Sequence, residues 1–142
     1  MWEKVLSPGE EIKYEFGMGK NYLIIRTIFI TILGILLLPI GGFFIILLGL
    51  FSYWYLGIAN KFAFTNKRVL IHHGWLSTNL ISIDYDKITD VVVYEPFLKR
   101  VIYGIGDLSI RTASTEHAIL DRVDKPYEVK KTLDSLKGNK TN

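Results

Sequence analysis

The longest uncharged stretch of the chain covers residues 27–60 and consists mostly of apolar side chains. A single helix of about 34 residues would be roughly 50 Å long, whereas the hydrocarbon core of a bilayer is about 30 Å thick. The sequence Pro-Ile-Gly-Gly at 39–42 divides the stretch near its middle, because proline and glycine interrupt helices. The pattern therefore predicts a transmembrane helical hairpin at residues 22–60, with arms at 22–38 and 43–59.

Basic residues flank the predicted hairpin, whereas its turn carries no charge. They are Lys13 and Lys20 before the first arm, Arg26 near its start, and Lys61, Lys67 and Arg68 after the second. Because positive charge near helix ends stays on the cytoplasmic side, we expect a multi-pass protein of the cell membrane with both termini cytoplasmic. The chain opens without a basic stretch and the apolar run begins only after residue 20, so we expect a retained anchor rather than a cleaved signal peptide. Arms of about 17 residues lie at the short end of the spanning range, so a re-entrant hairpin stays open as an alternative.

Glycines recur along the predicted arms at Gly34, Gly42, Gly49 and Gly57. Small residues let helix backbones approach closely in lipid, which favours packing between the arms or against another helix. Glycine is also frequent in membrane helices in general, so a packing role is one of two interpretations. Asp, Glu, Lys, Arg and His residues mark most ion and substrate pathways in membranes, and residues 27–60 contain none of these five types, so a transporter is not expected.

From residue 61 onward, short runs of β-branched and aromatic residues alternate with turn residues, a pattern typical of strands. The predicted strands cover residues 61–65, 68–72, 80–85, 88–94, 107–112 and 118–123. The period then becomes helical, because Tyr127, Val129, Leu133 and Leu136 fall mostly on one helical face. We expect this helix to cover one open end of a strongly bent antiparallel sheet.

Composition narrows the class of protein further. The chain has no cysteine, which excludes disulfides, thiolate metal sites and thiol catalysis. Its net charge of +3 arises entirely after the hairpin, and this bias is too weak to indicate nucleic-acid binding. Once the hairpin is subtracted, the 142 residues leave room for one small domain.

Four short motifs occur in order along the chain. They are Leu-Ser-Pro-Gly-Glu-Glu-Ile at 6–12, Phe-Thr-Asn-Lys-Arg-Val-Leu at 64–70, Ile-Asp-Tyr-Asp-Lys-Ile-Thr-Asp-Val at 83–91 and Gly-Ile-Gly-Asp-Leu at 104–108. With these motifs and this order of elements, the chain resembles prokaryotic pleckstrin-homology-like (PH-like) membrane proteins over essentially its whole length. The resemblance implies an α+β membrane protein, in which a transmembrane helical hairpin is followed by a PH-like antiparallel β-barrel or sandwich capped by a C-terminal helix. It does not imply an activity.

These patterns predict four segments. A cytoplasmic N-terminal segment at 1–21 precedes the hairpin at 22–60. A PH-like domain at 61–137 follows, and residues 138–142 form a flexible polar tail.

Lys67 and Arg68 form the first candidate binding site, in a predicted turn at 65–68. Phosphoinositide-binding PH domains use basic residues around their first hairpin, so by analogy of fold this pair is expected near anionic lipid phosphates. In the alternative interpretation, Asn66 fixes the turn and Arg68 pairs with an acid such as Asp90. The shortness of the turn favours this structural alternative.

Phe97, Lys99 and Arg100 form the second candidate site, together with Leu98. Two apolar side chains beside two cations suit a loop tip that contacts a membrane or a partner protein. The alternative is a solvated turn whose apolar residues fold back onto the core. A partner could also add a strand to an exposed sheet edge.

Catalytic, cofactor and metal sites are not predicted. Because His72 and His73 are adjacent in a strand, their side chains point to opposite faces and do not easily share a metal ion. The glycine pair at 104–106 lacks a third glycine and a following helix, so it is not a dinucleotide-binding motif. The aspartates at 84–90 do not have the spacing of a calcium loop.

The leading hypothesis is a membrane-anchored, non-enzymatic PH-like domain that acts as a protein-interaction or scaffold module at the cytoplasmic membrane face. Its expected partners are the lipid bilayer and a protein partner or second copies of the chain, without nucleic acid or cofactor. The alternatives are a module that binds anionic lipid headgroups and an accessory subunit of a larger membrane complex.

Overall fold

The structure is a computed structural model that describes residues 2–114 and 117–141. Within these ranges, seven strands form two antiparallel sheets. The first sheet has the order β1-β2-β3-β4, with β1 (Ile12–Gly17), β2 (Asn60–Thr65), β3 (Arg68–His73) and β4 (Asn79–Asp84). The second has the order β5-β6-β7, with β5 (Ile88–Tyr94), β6 (Ile105–Thr112) and β7 (His117–Asp124). The α+β fold with antiparallel sheets expected from the sequence is therefore present.

The main hydrophobic core lies between the two sheets and under the C-terminal helix. Both sheets contribute fully buried side chains, among them Phe62, Phe64, Leu108 and Ile110. This helix, Pro126–Thr141, adds the buried side chains of Val129 and Leu133 to the same core. It continues past the predicted boundary at residue 137, so the predicted tail is helical through Thr141.

Two helices form the hairpin: α1 (Lys20–Leu36) and α2 (Gly42–Ala59). A short 3₁₀ turn joins them at the predicted break, where Gly41 has a φ of 100° that favours glycine. A Cβ at Gly42 would collide with the carbonyl oxygen of Gly34, so the arms meet backbone to backbone beside the turn. The C-terminal helix is the third in chain order and is called α3.

The suitability of the hairpin for a bilayer differs between its two arms. Among the described helices, only α2 is long and apolar enough to cross a membrane, with a mean hydropathy of 1.9 and 17% of its window buried. By contrast, α1 has 17 residues, and both Lys20 and Arg26 lie on it. That both α1 and α2 span a membrane therefore stays a prediction.

The strand β1 lies ahead of the hairpin, so the barrel includes part of the predicted N-terminal segment 1–21. The register pairs Phe16 with Phe62 and Gly17 with Lys61 across β1 and β2. The Phe16 ring lies 5.4 Å from that of Phe62 and also packs against the core, which anchors β1 to the sheet. The hairpin is thus an insertion between two neighbouring strands, and the barrel does not begin at residue 61 as predicted.

Candidate functional site

The turn between β2 and β3 is tied to the N-terminal segment by a buried ion pair. The Arg68 Nε donates to Glu10 Oε1 and its Nη2 donates to Oε2, both at 2.9 Å. The Thr65 hydroxyl donates to Oε1 at 2.7 Å, and the Ser7 backbone N–H donates to Oε2 at 2.8 Å. The Glu10 side chain is fully buried, so four donors within the protein replace its hydration. We call Glu10, Arg68, Thr65 and Ser7 the ion-pair cluster.

The electrostatics of this cluster favour the ionised carboxylate. The hydrogen bond from Arg68 is the main cause that lowers the pKa of Glu10 from 4.5 to about 2, and burial opposes it. The same bond raises the pKa of Arg68. Burial, and secondarily the charge of Glu10, raises the pKa of Tyr85, whose hydroxyl donates to the backbone carbonyl of Thr65. These groups are engaged with each other, and the carboxylate is not open to a ligand.

The first candidate site, Lys67 and Arg68, lies at the end of β2 remote from the hairpin. The six residues of β2 separate it from α2 by about 20 Å, at about 3.3 Å per residue. The acid that pairs with Arg68 is Glu10 and not Asp90, whose carboxylate accepts the backbone N–H of Val91. The geometry thus assigns Arg68 to the framework of the barrel.

The second candidate site lies at the opposite end, beside the base of the hairpin. A helical segment, Lys99–Tyr103, precedes β6, and the ring of Tyr103 lies 5.3 Å from that of Tyr22 on α1. On the other side of the hairpin base, Trp75 in the loop between β3 and β4 lies 5.5 Å from Trp54 on α2. Two loops of the barrel therefore flank the point where the hairpin leaves it.

The two cations of this segment have different surroundings. The Lys99 ammonium donates to Asp107 Oδ2 at 2.7 Å, and Asp107 Oδ1 accepts the backbone N–H of Arg122 at 2.8 Å. Arg100 is exposed and forms no ion pair with any described residue. The neighbouring Phe97 and Leu98 are 68% and 65% exposed, so they do not fold back onto the core.

A set of contacts that no sequence pattern predicted fixes the start of α1 on the second sheet. Asp124 Oδ2 accepts the backbone N–H of Lys20, one of the donors left open at a helix N-terminus. Arg122 lies over the ring of Tyr22 at 5.1 Å, and its carbonyl accepts the N–H of Gly19 at 2.7 Å. No local signal marks these contacts, because the paired residues are about 100 positions apart.

His72 and His73 lie in separate environments. His72 contacts the ring of Trp2 and His73 contacts that of Phe62, which belong to different apolar clusters. His72 is buried, and its Nδ1 has no hydrogen-bond partner among the residues that the structure describes. Among the described residues, no group of three or more His, Asp or Glu side chains could hold a metal ion.

An open groove lies between β4 and the end of β6. Its volume is about 570 Å³, and its walls include Ser82, Lys87 and Ser114. Within the described part of the chain, β4 pairs only with β3, so its other edge is free. This edge and the groove form the exposed sheet edge considered in the sequence analysis.

Comparison with known proteins identifies the family to which the chain belongs. The family model of the bacterial PH domain matches residues 21–138, so the chain belongs to the bacterial PH domain family. This confirms the expected prokaryotic PH-like domain, whereas the transmembrane hairpin that accompanied it in the sequence prediction is not supported by the match.

Two solved structures are similar in fold. One is a DUF1696 family protein with a pleckstrin-homology domain from Shewanella loihica PV-4, with 14% identity and a TM-score of 0.52; the match covers 96% of this chain and 89% of that one. The other is a pleckstrin homology domain from Shewanella amazonensis SB2B, with 14% identity and a TM-score of 0.51; the match covers 93% and 78%. The search of curated proteins gave no match. At these identities the likeness concerns the fold alone.

Proposed function

We propose that this protein is a membrane-anchored, non-enzymatic PH-like domain that serves as a protein-interaction module at the cytoplasmic face of the cell membrane. The observation that carries the proposal is the position of the hairpin, which continues directly from β1 and into β2. Gly17 and Lys61 are paired across these strands, so both ends of the hairpin are held by one sheet. A hairpin that spans or enters the bilayer would therefore hold the barrel against the membrane without a linker.

The surface of the hairpin supports a lipid environment. Large apolar side chains cover its outside, among them Phe29, Leu36, Ile40 and Phe44, which are 69%, 76%, 85% and 70% exposed. An apolar surface of this extent is costly in water and marks a membrane or protein contact. The uncharged turn at Gly41 and the basic residues near both ends favour a cytoplasmic barrel.

The free edge of β4 is the surface that supports an interaction with a protein. Edge strands expose unpaired backbone groups, to which an extended peptide can add as a further strand. The groove beside it could receive alternate side chains of such a peptide. The most strongly perturbed carboxyl of the described chain, Glu10, is enclosed by its four donors, which supports a role without catalysis.

Membrane anchoring is tested by extraction of the tagged full-length protein from isolated bacterial membranes. We expect it to resist high salt and alkaline carbonate and to be released by detergent. A cysteine introduced at Asp86, in the distal turn of the barrel, should react with an impermeant maleimide only after the cells are opened. Release by carbonate, or labelling of intact cells, would contradict the anchor or its orientation.

The interaction surface is tested by a photo-crosslinking residue at Ser82 in the full-length protein. We expect a discrete adduct in membranes that disappears when Ser114→Trp fills the groove. The matched control is Ile119→Trp, whose position is 51% exposed and does not line the groove. An adduct that Ser114→Trp leaves unchanged would assign the interaction elsewhere. An adduct with a protein that itself spans the membrane would favour the role of an accessory subunit.

Recognition of anionic lipid headgroups is the second candidate function, and the exposed Arg100 beside the hairpin favours it. A basic residue near an anionic leaflet contributes about 1 kcal/mol. Lys67 and Arg68 lie at the other end of the barrel and are less suited to this contact. Exchange of neutral for anionic lipid around the full-length protein, with its thermal stability as the readout, tests this candidate.

A further inference from the structure

Large apolar side chains are exposed in two loops of the barrel that flank the hairpin base. They are Trp75 and Leu76 between β3 and β4, at 49% and 82%, and Phe97, Leu98, Val101 and Ile102 between β5 and β6, at 68%, 65%, 62% and 49%. We call these six residues the collar. The surfaces of soluble proteins rarely concentrate so many large apolar side chains at one place, so lipid or a partner protein is expected to cover them.

The contacts of both loops hold the collar beside the hairpin. The rings of Trp75 and Tyr103 lie against Trp54 and Tyr22, one on each helix of the hairpin. The Lys99–Asp107 pair ties the second loop to β6, and a groove with a volume of about 260 Å³ separates its helical segment from the start of α1. The collar therefore continues the apolar surface of the hairpin and does not form a separate patch.

The turn at the other end of the barrel has a different surface. The turn between β2 and β3 holds Asn66 and Lys67, and the segment between β4 and β5 holds Asp86 and Lys87. Within the described chain, no large apolar side chain of these two connections is exposed. A bilayer that contains the hairpin would thus meet the apolar end of the barrel first.

We propose that the collar is immersed in the interface of the same bilayer that holds the hairpin, so that the barrel docks on the membrane at a fixed tilt. In this arrangement Phe97, Leu98 and Leu76 lie at the boundary between headgroups and acyl chains, and Arg100 lies among the phosphates. Aromatic and aliphatic residues next to a cation are the composition that this layer accommodates. The inference rests on the proposed membrane anchoring and adds the orientation of the barrel.

The absence of cysteine permits a direct test of depth with single nitroxide labels. Cysteines are introduced one at a time at Leu98, Leu76, Leu48 and Ile119 in the full-length protein, in vesicles of phosphatidylcholine and phosphatidylglycerol. Leu48, 67% exposed on α2, reports the hairpin, and Ile119, 51% exposed on β7, is the matched control on the barrel. Power saturation then compares the accessibility of each label to oxygen and to a water-soluble nickel chelate.

We expect labels at Leu98, Leu76 and Leu48 to be more accessible to oxygen than to the nickel chelate, and the label at Ile119 to show the reverse. If the label at Leu48 reports lipid while the labels at Leu98 and Leu76 report water, the collar proposal is wrong, whereas the proposed membrane anchoring by the hairpin still holds. If Leu48 also reports water, the anchor itself fails. Labels at Leu98 and Leu76 that neither reagent contacts would show that protein, not lipid, covers the collar, which also overturns the proposal.

A measurement without labels provides an independent check. In the Trp54→Phe variant, the emission comes from Trp75 in the collar and from Trp2, which is 5% exposed in a cluster on the first sheet. Lipids brominated near the glycerol backbone should quench the Trp75 component at least twofold relative to unbrominated lipid. Unquenched emission, with the protein still bound to the vesicles, would contradict immersion of the collar.

Discussion

The turn at 65–68 and the segment at 97–103 each carry two adjacent cations, yet they lie at opposite ends of the barrel in different surroundings. In the first, Arg68 is held by the buried Glu10. In the second, Lys99 is paired with Asp107, whereas Arg100 is exposed beside four exposed apolar residues. A cation inside a network of carboxylate and backbone contacts stabilises the fold, whereas an exposed cation next to apolar side chains is suited to an external contact.

The largest effect is expected when the buried pair is broken. Glu10→Gln leaves the Arg68 guanidinium, about one fifth exposed, without its counter-charge, and we expect a loss of about 3 kcal/mol in the free energy of unfolding. This corresponds to a melting temperature about 10 °C lower, measured by differential scanning fluorimetry in detergent. Glu11→Gln is the matched control, because its exposed pair with Lys13 is worth little. Equal losses in the two variants would show that the buried pair contributes no more to stability than the exposed pair.

Acid should reproduce this loss in the unaltered protein. The folded-state pKa of Glu10 is lowered to about 2, below its ordinary value of 4.5, so its contribution is present above pH 4.5 and is lost as the pH falls towards 2. The lowered pKa corresponds to about 3 kcal/mol of stabilisation. We expect the melting temperature to fall across this range, and to fall less steeply in Glu10→Gln. Parallel pH profiles of the two proteins would be inconsistent with the pair.

A smaller effect is expected at the base of the hairpin. Asp107→Asn removes the charge that holds Lys99, and since Lys99 is about one third exposed, we expect a cost of about 1 kcal/mol or less. The loss should be local, with backbone amides of residues 99–104 exchanging about fivefold faster while the melting temperature changes little. Faster exchange throughout the barrel would show instead that the segment contributes to the global stability of the fold.

An effect of at most the same size is expected at the exposed side chains of Arg100 and Lys67. In nanodiscs, the proposed contact of the barrel with the membrane predicts that anionic lipid stabilises the protein more than neutral lipid does, and that Arg100→Ala removes at most about 1 kcal/mol of this gain. Lys67→Ala, at the remote end, should leave the gain unchanged. The readout is the difference in melting temperature between the two lipid compositions. A loss in Lys67→Ala equal to that in Arg100→Ala would contradict the assignment of the two ends.

Features that depend on neighbouring residues were predictable from the sequence. The break at Gly41 is marked by proline and glycine, the six later strands by period-two or β-branched runs, and the last helix by its apolar face. The turn containing Asn66 was also recognisable, because its residue types restrict the local backbone. The strand β1 also alternates, at Ile12, Tyr14 and Phe16, but a pattern of six residues directly before a long apolar run is too short to identify a strand.

Which of these local elements contact each other is known only from the folded chain. Glu10 and Arg68 are 58 positions apart, and Asp124 and Lys20 are 104 apart, so no local period or motif encodes either pair. Their partnership arises because the hairpin is inserted between β1 and β2, which brings the N-terminal segment back onto the sheet. Local residue patterns are sufficient to predict the apolar hairpin, the six strands after it and the two basic segments. The closure of the barrel brings Arg68 onto the buried Glu10 and leaves Arg100 exposed beside the hairpin, because burial and charge pairing depend on distance in space.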